Sequence, residues 1–293
     1  MSSAPRQSTG VPGLDEHLGG GLLPGTLTVV VGASGIGKTQ LGLQYAHAGK
    51  AAEGRTGILF DMSSRIDSQS HGDYARRMFG WPLRPHPHER FDAQKYFDAS
   101  RPTGDHLHVF DQQGRRVTPR EAGFDAWHDW QAELAAKLEL TIDFLHGSFV
   151  RGARRVVIDG IEPADRPSES IQFELFEYIY HQILRKDSEW VARDLFRQHY
   201  RAFAEQIERH AYRHQDIGAL LLSTSHESML DDLIERPLVD GDILATANTL
   251  IYMGKLRDGN KLARGLLIAK HRGSACCDDI VRYTIDDHGV RVA

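Results

Sequence analysis

Gly32-Ala33-Ser34-Gly35-Ile36-Gly37-Lys38-Thr39 follows the pattern G-x-x-x-x-G-K-T. Its glycines let consecutive backbone N–H groups turn inward around a phosphate, Lys38 brings a point charge to the β- and γ-phosphates, and Thr39 offers a hydroxyl to Mg2+. Gln40 opens a helix whose N-terminal dipole faces the same anion. These nine residues form the candidate nucleotide site.

A metal-dependent nucleotide site also needs a carboxylate from another strand. Arg154-Arg155-Val156-Val157-Ile158-Asp159-Gly160 supplies an apolar run ending in an acid, which places Asp159 at the carboxyl edge of a parallel sheet, beside the loop. Asp159 is therefore the expected Mg2+ partner, through water, together with Thr39. The elements that must hold this pair are legible as well. Thr26 to Val31 is a β-rich run entered through Pro24-Gly25, Gln40 to Gly49 reads as a helix, and Gly218 to Ser225 reads as a further buried strand ending in hydroxyls. Toward the C-terminus, Thr249 to Leu256 and Lys261 to Lys270 flank Asp258-Gly259, a strong hairpin signal, and Ile280 to Ile285 adds an alternating strand.

With these motifs in place the sequence resembles the RecA-type ATPases of the KaiC and RadA group. Ser8-Thr9-Gly10-Val11-Pro12-Gly13-Leu14-Asp15 and Leu18-Gly19-Gly20-Gly21-Leu22-Leu23-Pro24-Gly25 are similar to the lead-in that precedes the phosphate loop in KaiC-like domains. Lys270-His271-Arg272-Gly273-Ser274 is similar to the K-x-R-G segment that in KaiC reaches the neighbouring subunit's nucleotide. The resemblance covers both ends and the core strands, and matches the middle poorly. It implies ATP with Mg2+, a ring that is hexameric as in KaiC, γ-phosphate sensing by Ser223, Thr224 or Ser225, and a bridging role for Lys270 and Arg272.

Three departures from the family pattern matter. KaiC-like domains place a Glu pair after the second core strand to handle the attacking water; here Gly57-Ile58-Leu59-Phe60 leads into Asp61-Met62. Asp61 is one methylene shorter than Glu, and Met62 has no basic group. Asp61 is the favoured water-orienting residue, with Glu162 beyond Asp159 as the alternative and very slow turnover as the third reading. Next, the residues aligned with the phosphorylated hydroxyl pair of some KaiC domains are Leu244-Ala245, which excludes a clock-type phosphorylation cycle at that pair. Finally, the loop after the hydroxyl-bearing strand, His226 to Asp242, carries Glu227, Asp231, Asp232, Glu235, Asp240 and Asp242 against Arg236 alone. A local excess of negative charge repels a polyanion, so direct DNA binding there is not expected.

Composition sets the frame. Hydrophobic residues at 41% and charged residues at 26% exclude a disordered or fibrous chain, and a net charge of −5 gives no global pull toward nucleic acid or an anionic membrane. The longest apolar runs fall far short of the ~18 residues needed to span a bilayer. Cys276 and Cys277 are adjacent and show no zinc-site spacing, and Met1 to Gly10 lacks the order of a secretory signal, so a reduced, cytoplasmic setting is expected.

The expected architecture is a single RecA-like α/β domain over residues 1–293: a mostly parallel central sheet, a C-terminal β-hairpin, and insertions at 81–150 and 166–216. Residues 81 to 119 are rich in Pro, His, Asp and Arg and read as irregular; His86 and His88 lack a third partner for a metal. Ala122 to Val150 reads as a long helix, with Trp127, Trp130, Leu134, Leu138, Ile142 and Leu145 at three- and four-residue steps, packed on the sheet. Ile171 to Leu184 and Glu189 to His214 read as two helices closing on each other, with one face available to a protein partner. The leading expectation is a slow, ring-forming regulatory ATPase. Its rivals are a DNA-dependent RadA-type repair ATPase and an ATP-gated scaffold without meaningful catalysis.

Overall fold

The apolar strands alternate between two cores. In Leu27–Gly32 (β1), Leu27, Val29 and Val31 enter one core and Val30 the other. The same alternation runs through Ile58–Asp61 (β2), Arg155–Ile161 (β4) and Gly218–Thr224 (β5). Strands covered on both faces must be apolar on both, which is why these segments read as near-continuous hydrophobic runs. The computed structural model describes residues 5–63, 70–110, 124–162, 171–236 and 243–293, with backbone alone at 124–136, 171 and 243.

With His106–His108 (β3), Thr249–Asp258 (β6), Lys261–His271 (β7), Val281–Asp286 (β8) and Gly289–Val292 (β9), the sheet runs β3-β2-β4-β5-β1-β6-β7-β8-β9. Pairing is parallel from β3 through β6 and antiparallel from β6 to β9. The hairpin at Asp258-Gly259 forms as its sequence predicts, and β9, which no sequence pattern marked, pairs with β8.

One face of the sheet carries Lys38–Ala52 (α2), the lead-in helix Leu14–His17 (α1), the helix His71–Phe79 (α3) and the C-terminal ribbon. Asp15 fixes the lead-in by accepting from Ser8 Oγ, Thr9 N and Thr9 Oγ1 at 2.5, 2.7 and 2.6 Å. Arg155, fully buried, then joins lead-in, helix and sheet: it donates to Ser8 O at 2.6 Å, Tyr45 O at 2.9 Å and both oxygens of Glu53 at 2.8 Å.

The opposite face carries helices from the segments 81–150 and 171–216. Phe124–Val150 (α4) buries Ile142, Phe144, Leu145 and Phe149 there, as the helical periodicity requires, while Trp127, Trp130 and Leu134 lie outside the described side chains. Ile171–Ile179 (α5) continues as a π-turn to Leu184, followed by Ser188–Phe196 (α6) and Tyr200–Arg209 (α7). Two expectations change here. The second helical stretch is not continuous: it breaks at Arg197, whose φ of 47° lies outside the right-handed α-helical region. Nor does the insertion close only on itself, since residues of α4, α5, α6 and α7 share one core with the sheet.

The Pro- and His-rich stretch is also more than an irregular excursion. It supplies the edge strand β3, and it is pinned to α4 where Arg101 donates to both oxygens of buried Asp143 at 3.1 and 2.6 Å. His86 Nε2 lies 3.4 Å from the same carboxylate. Asp143 is desolvated, yet these partners hold its pKa below the ordinary carboxylate value. His86 is thus a structural partner of Asp143.

Candidate nucleotide site

β1 delivers the phosphate loop at its carboxyl end, and α2 starts within the loop at Lys38. Gly37 precedes it with φ of 109°, a left-handed conformation that disfavours any side chain, and an added Cβ there would lie 2.7 Å from Ile285. No side chain caps this helix, so its first N–H groups are left to an anion. Ile36 is buried beneath the loop and its carbonyl accepts from Tyr283 Oη at 2.8 Å. Gln44, two turns into α2, exchanges two hydrogen bonds with the Val290 backbone, at 2.9 and 2.8 Å. The C-terminal ribbon therefore braces the loop, a role that no local sequence signal carried.

Lys38 is buried, and its ammonium donates to the carbonyls of Gly32 at 2.8 Å and Ala33 at 2.9 Å. Burial lowers its pKa to about 8 against the opposing pull of Asp159. Thr39 Oγ1 donates to Asp159 Oδ2 at 2.9 Å. The two residues expected to share Mg2+ are thus in contact, and the hydroxyl, the carboxylate and the orphaned helix start together fit a Mg-bound phosphate chain. Ala33, Ser34 and Gly35 form the accessible lip of the loop, whereas Gln40 is buried and its Oε1 lacks a hydrogen-bond partner.

Parallel registry aligns the acidic residues in one row. Asp61 pairs with Asp159 across β2 and β4 and with His108 across β2 and β3. Registry partners share a sheet face, so all three lie on the face of α2. Met62, next along, enters the opposite core and is fully buried, which removes it from the site. Gly160, at φ of 97°, lets the Met62-Ser63 backbone approach: an added Cβ would meet Ser63 N at 2.2 Å.

Three imidazoles close around Asp61. Its Oδ2 lies 3.4 Å from His71 Nδ1 and 3.9 Å from the Nε2 atoms of both His106 and His108, and its Oδ1 accepts from Ser63 N at 2.8 Å. Burial works to raise the pKa of Asp61, but the imidazoles of His106, His71 and His108 and the Ser63 N–H outweigh it and hold the value at about 2. His71 Nε2 sits 3.0 Å from Asp159 Oδ2, so His71 spans the two acids. Sequence reasoning missed these histidines. The available signal was the apolar Leu107 between two polar histidines, a half-buried strand pattern obscured by its Pro-rich surroundings.

The remaining expected residues lie at varied positions. Ser225 N donates to Gly32 O at 3.1 Å, which brings the end of β5 to the loop, while its hydroxyl donates to Glu227. Ser223 and Thr224 pair with Val31 and Gly32. Glu162 N donates to Gln172 Oε1 at 3.3 Å, and Gln172 Nε2 donates to Met62 O at 2.7 Å. Gln172 thereby ties together the ends of β2 and β4. Lys270 Nζ and Arg272 Nη2 converge on the Ala245 carbonyl at 3.0 and 3.3 Å. His271, between them, points inward to Leu18 O at 3.1 Å and Thr249 Oγ1 at 2.9 Å, as strand alternation requires. In the acidic loop, Leu230–Glu235 is helical, and residues 237–242 lie outside the described part. No described helix is long and apolar enough to cross a membrane.

Comparison with known proteins agrees with this fold. The sequence model of the KaiC ATPase family matches residues 7–101, the segment from the lead-in through β1, the loop, α2 and β2. Among solved structures, a KaiC-like protein from the hyperthermophilic archaeon Pyrococcus horikoshii OT3 superposes with a TM-score of 0.53 at 16% identity, covering 98% of each chain. A search of curated proteins finds no match. Residues 7–101 are thus similar to the KaiC ATPase family, and the chain as a whole shares the fold of a KaiC-like protein.

Proposed function

We propose that the protein binds Mg-ATP at this loop, hydrolyses it slowly, and assembles as a KaiC-type ring with nucleotide between subunits. The observation that carries the nucleotide reading is the Thr39–Asp159 contact of 2.9 Å beside a buried lysine that rests on loop carbonyls. Lys38 gives its charge to the phosphates, the α2 N–H groups bind their oxygens, and Thr39 and Asp159 hold Mg2+. When bound, the ion neutralises charge on the β- and γ-phosphate oxygens. Asp61, kept as a carboxylate, orients the attacking water.

Ring assembly is supported by the family likeness and by the placement of Lys270 and Arg272. Among the described residues these two cations meet backbone carbonyls rather than a carboxylate, and a neighbour's phosphate chain is the anion that would neutralise them. A second reading, an ATP-gated scaffold with negligible turnover, is favoured by Met62 lying in the far core and by the histidines crowded around Asp61.

Lys38→Ala tests the assignment. It should abolish ATP binding while the melting temperature stays near that of the unmodified protein. Unchanged ATP affinity would remove the loop from the mechanism. Phosphate release measured on the same preparations separates slow hydrolysis from the scaffold reading.

A further inference from the structure

We propose that Asp61, His71 and His106 form a binding site for one divalent transition-metal ion of the Zn2+, Co2+ or Fe2+ class, adjoining the nucleotide site and distinct from the Mg2+ position at Thr39 and Asp159. One carboxylate oxygen and one nitrogen from each imidazole lie within 4.8 Å of one another. Metal bonds of ~2.0–2.2 Å bring such ligands to within about 4 Å of each other, so small side-chain rotations suffice to close the set.

The hydrogen bonding favours an ion over a simple polar cluster. Asp159 only accepts, so at 3.0 Å from its Oδ2 the His71 Nε2 must carry the proton. Its Nδ1 lies 3.4 Å from a carboxylate oxygen of Asp61, so the ring nitrogen not engaged by Asp159 is directed at the cluster. A histidine that donates one ring N–H to a carboxylate and presents the other nitrogen to a metal is a recurrent second-sphere arrangement. His106 adds a buried Nε2 with no hydrogen bond, 3.9 Å from the same Asp61 oxygen. The second oxygen of Asp61 is already fixed by Ser63 N, which orients the first toward the imidazoles.

His108 is not a ligand in this arrangement. Its Nε2 donates to the Ser63 carbonyl at 2.8 Å. Two imidazoles and one carboxylate suit borderline transition metals, whereas Mg2+ and Ca2+ take oxygen donors. Three protein ligands leave a coordination position open to solvent or to a bound group.

The site follows from this cluster alone and does not depend on nucleotide binding. Full-length, tag-free protein stripped with chelator and titrated with Co2+ in excess Mg2+ should develop visible d–d absorption that saturates at one equivalent. His71→Ala and His106→Ala should each weaken Co2+ binding at least tenfold, on the order of losses seen when metal-site partners are removed. His108→Ala should retain it. Thermal melts check that each variant folds, and His106→Gln replaces the alanine variant should that one unfold. Absence of a saturable one-equivalent signal, or wild-type Co2+ affinity in a folded His106 variant, would overturn the site. Lys38→Ala should lose ATP and keep Co2+, so failure of the nucleotide reading and failure of the metal reading register in different measurements.

Discussion

Thr39 Oγ1 and Asp159 Oδ2 stand 2.9 Å apart although 120 residues separate them in sequence. The contact joins the end of the phosphate loop to the second acidic strand, and it makes the metal dependence of nucleotide binding testable at one atom. Asp159→Asn keeps the shape and removes the charge. ATP affinity measured by calorimetry should fall about tenfold or more in Mg2+ and change little in EDTA, given that charge-assisted contacts contribute ~1.5–3 kcal/mol. Equal losses in both buffers would refute a metal-holding role.

Asp61→Asn should slow phosphate release by about 100-fold, within the range for a lost proton-handling group, while ATP affinity stays within about twofold. Single-turnover kinetics beside equilibrium binding separate the two effects. Wild-type turnover in this variant would shift attention to Glu162.

The buried Lys38 sets a pH dependence. Burial, opposed by Asp159, lowers its pKa to about 8, whereas phosphates in the complex favour the charged form and raise it. Below pH 8 the lysine is already protonated in the free protein, so affinity is flat. Above pH 8 binding must take up a proton, so affinity falls with pH, by up to about tenfold per unit until the pKa of the complex is reached. Fluorescence titrations between pH 6.5 and 9.5 would expose a flat profile, which would contradict this account.

Arg155 is a stability determinant. It is fully buried and donates to Glu53, Ser8 and Tyr45, so Arg155→Leu should destabilise the fold by about 3 kcal/mol, the low end for breaking a buried pair because Glu53 retains some solvent contact. Glu53→Gln, which keeps hydrogen-bonding capacity, should cost about 1 kcal/mol. Urea unfolding distinguishes them; midpoints equal to wild type would show that this cluster contributes nothing.

Assembly is tested at Arg272, which shares the Ala245 carbonyl with Lys270. Arg272→Ala should leave ATP binding by the isolated subunit near normal, yet reduce several-fold both the ATP-induced oligomer, followed by light scattering, and the turnover. A variant that assembles and hydrolyses like wild type would end the subunit-bridging role of this segment.

The sequence by itself determined the phosphate loop, its strand and helix, the Asp159 strand and the C-terminal hairpin. Each of these rests on local chemistry: glycines where the backbone must close on a phosphate, a continuous apolar run for a strand covered on both faces, and Asp-Gly at a tight turn. The family likeness was legible for the same reason, since the lead-in and loop are contiguous in the chain. Tertiary structure alone decided the surroundings of Asp61. His71 comes from a helix, His106 and His108 from an edge strand, and Asp159 from the neighbouring strand; parallel registry brings them together. It likewise decided that Tyr283 and Val290 brace the loop and α2, and that α4, α5, α6 and α7 share one core on the far face of the sheet. Such contacts depend on which strands become neighbours. That order is set by how the sheet buries its two faces, a property of the whole chain that no short window of residues contains.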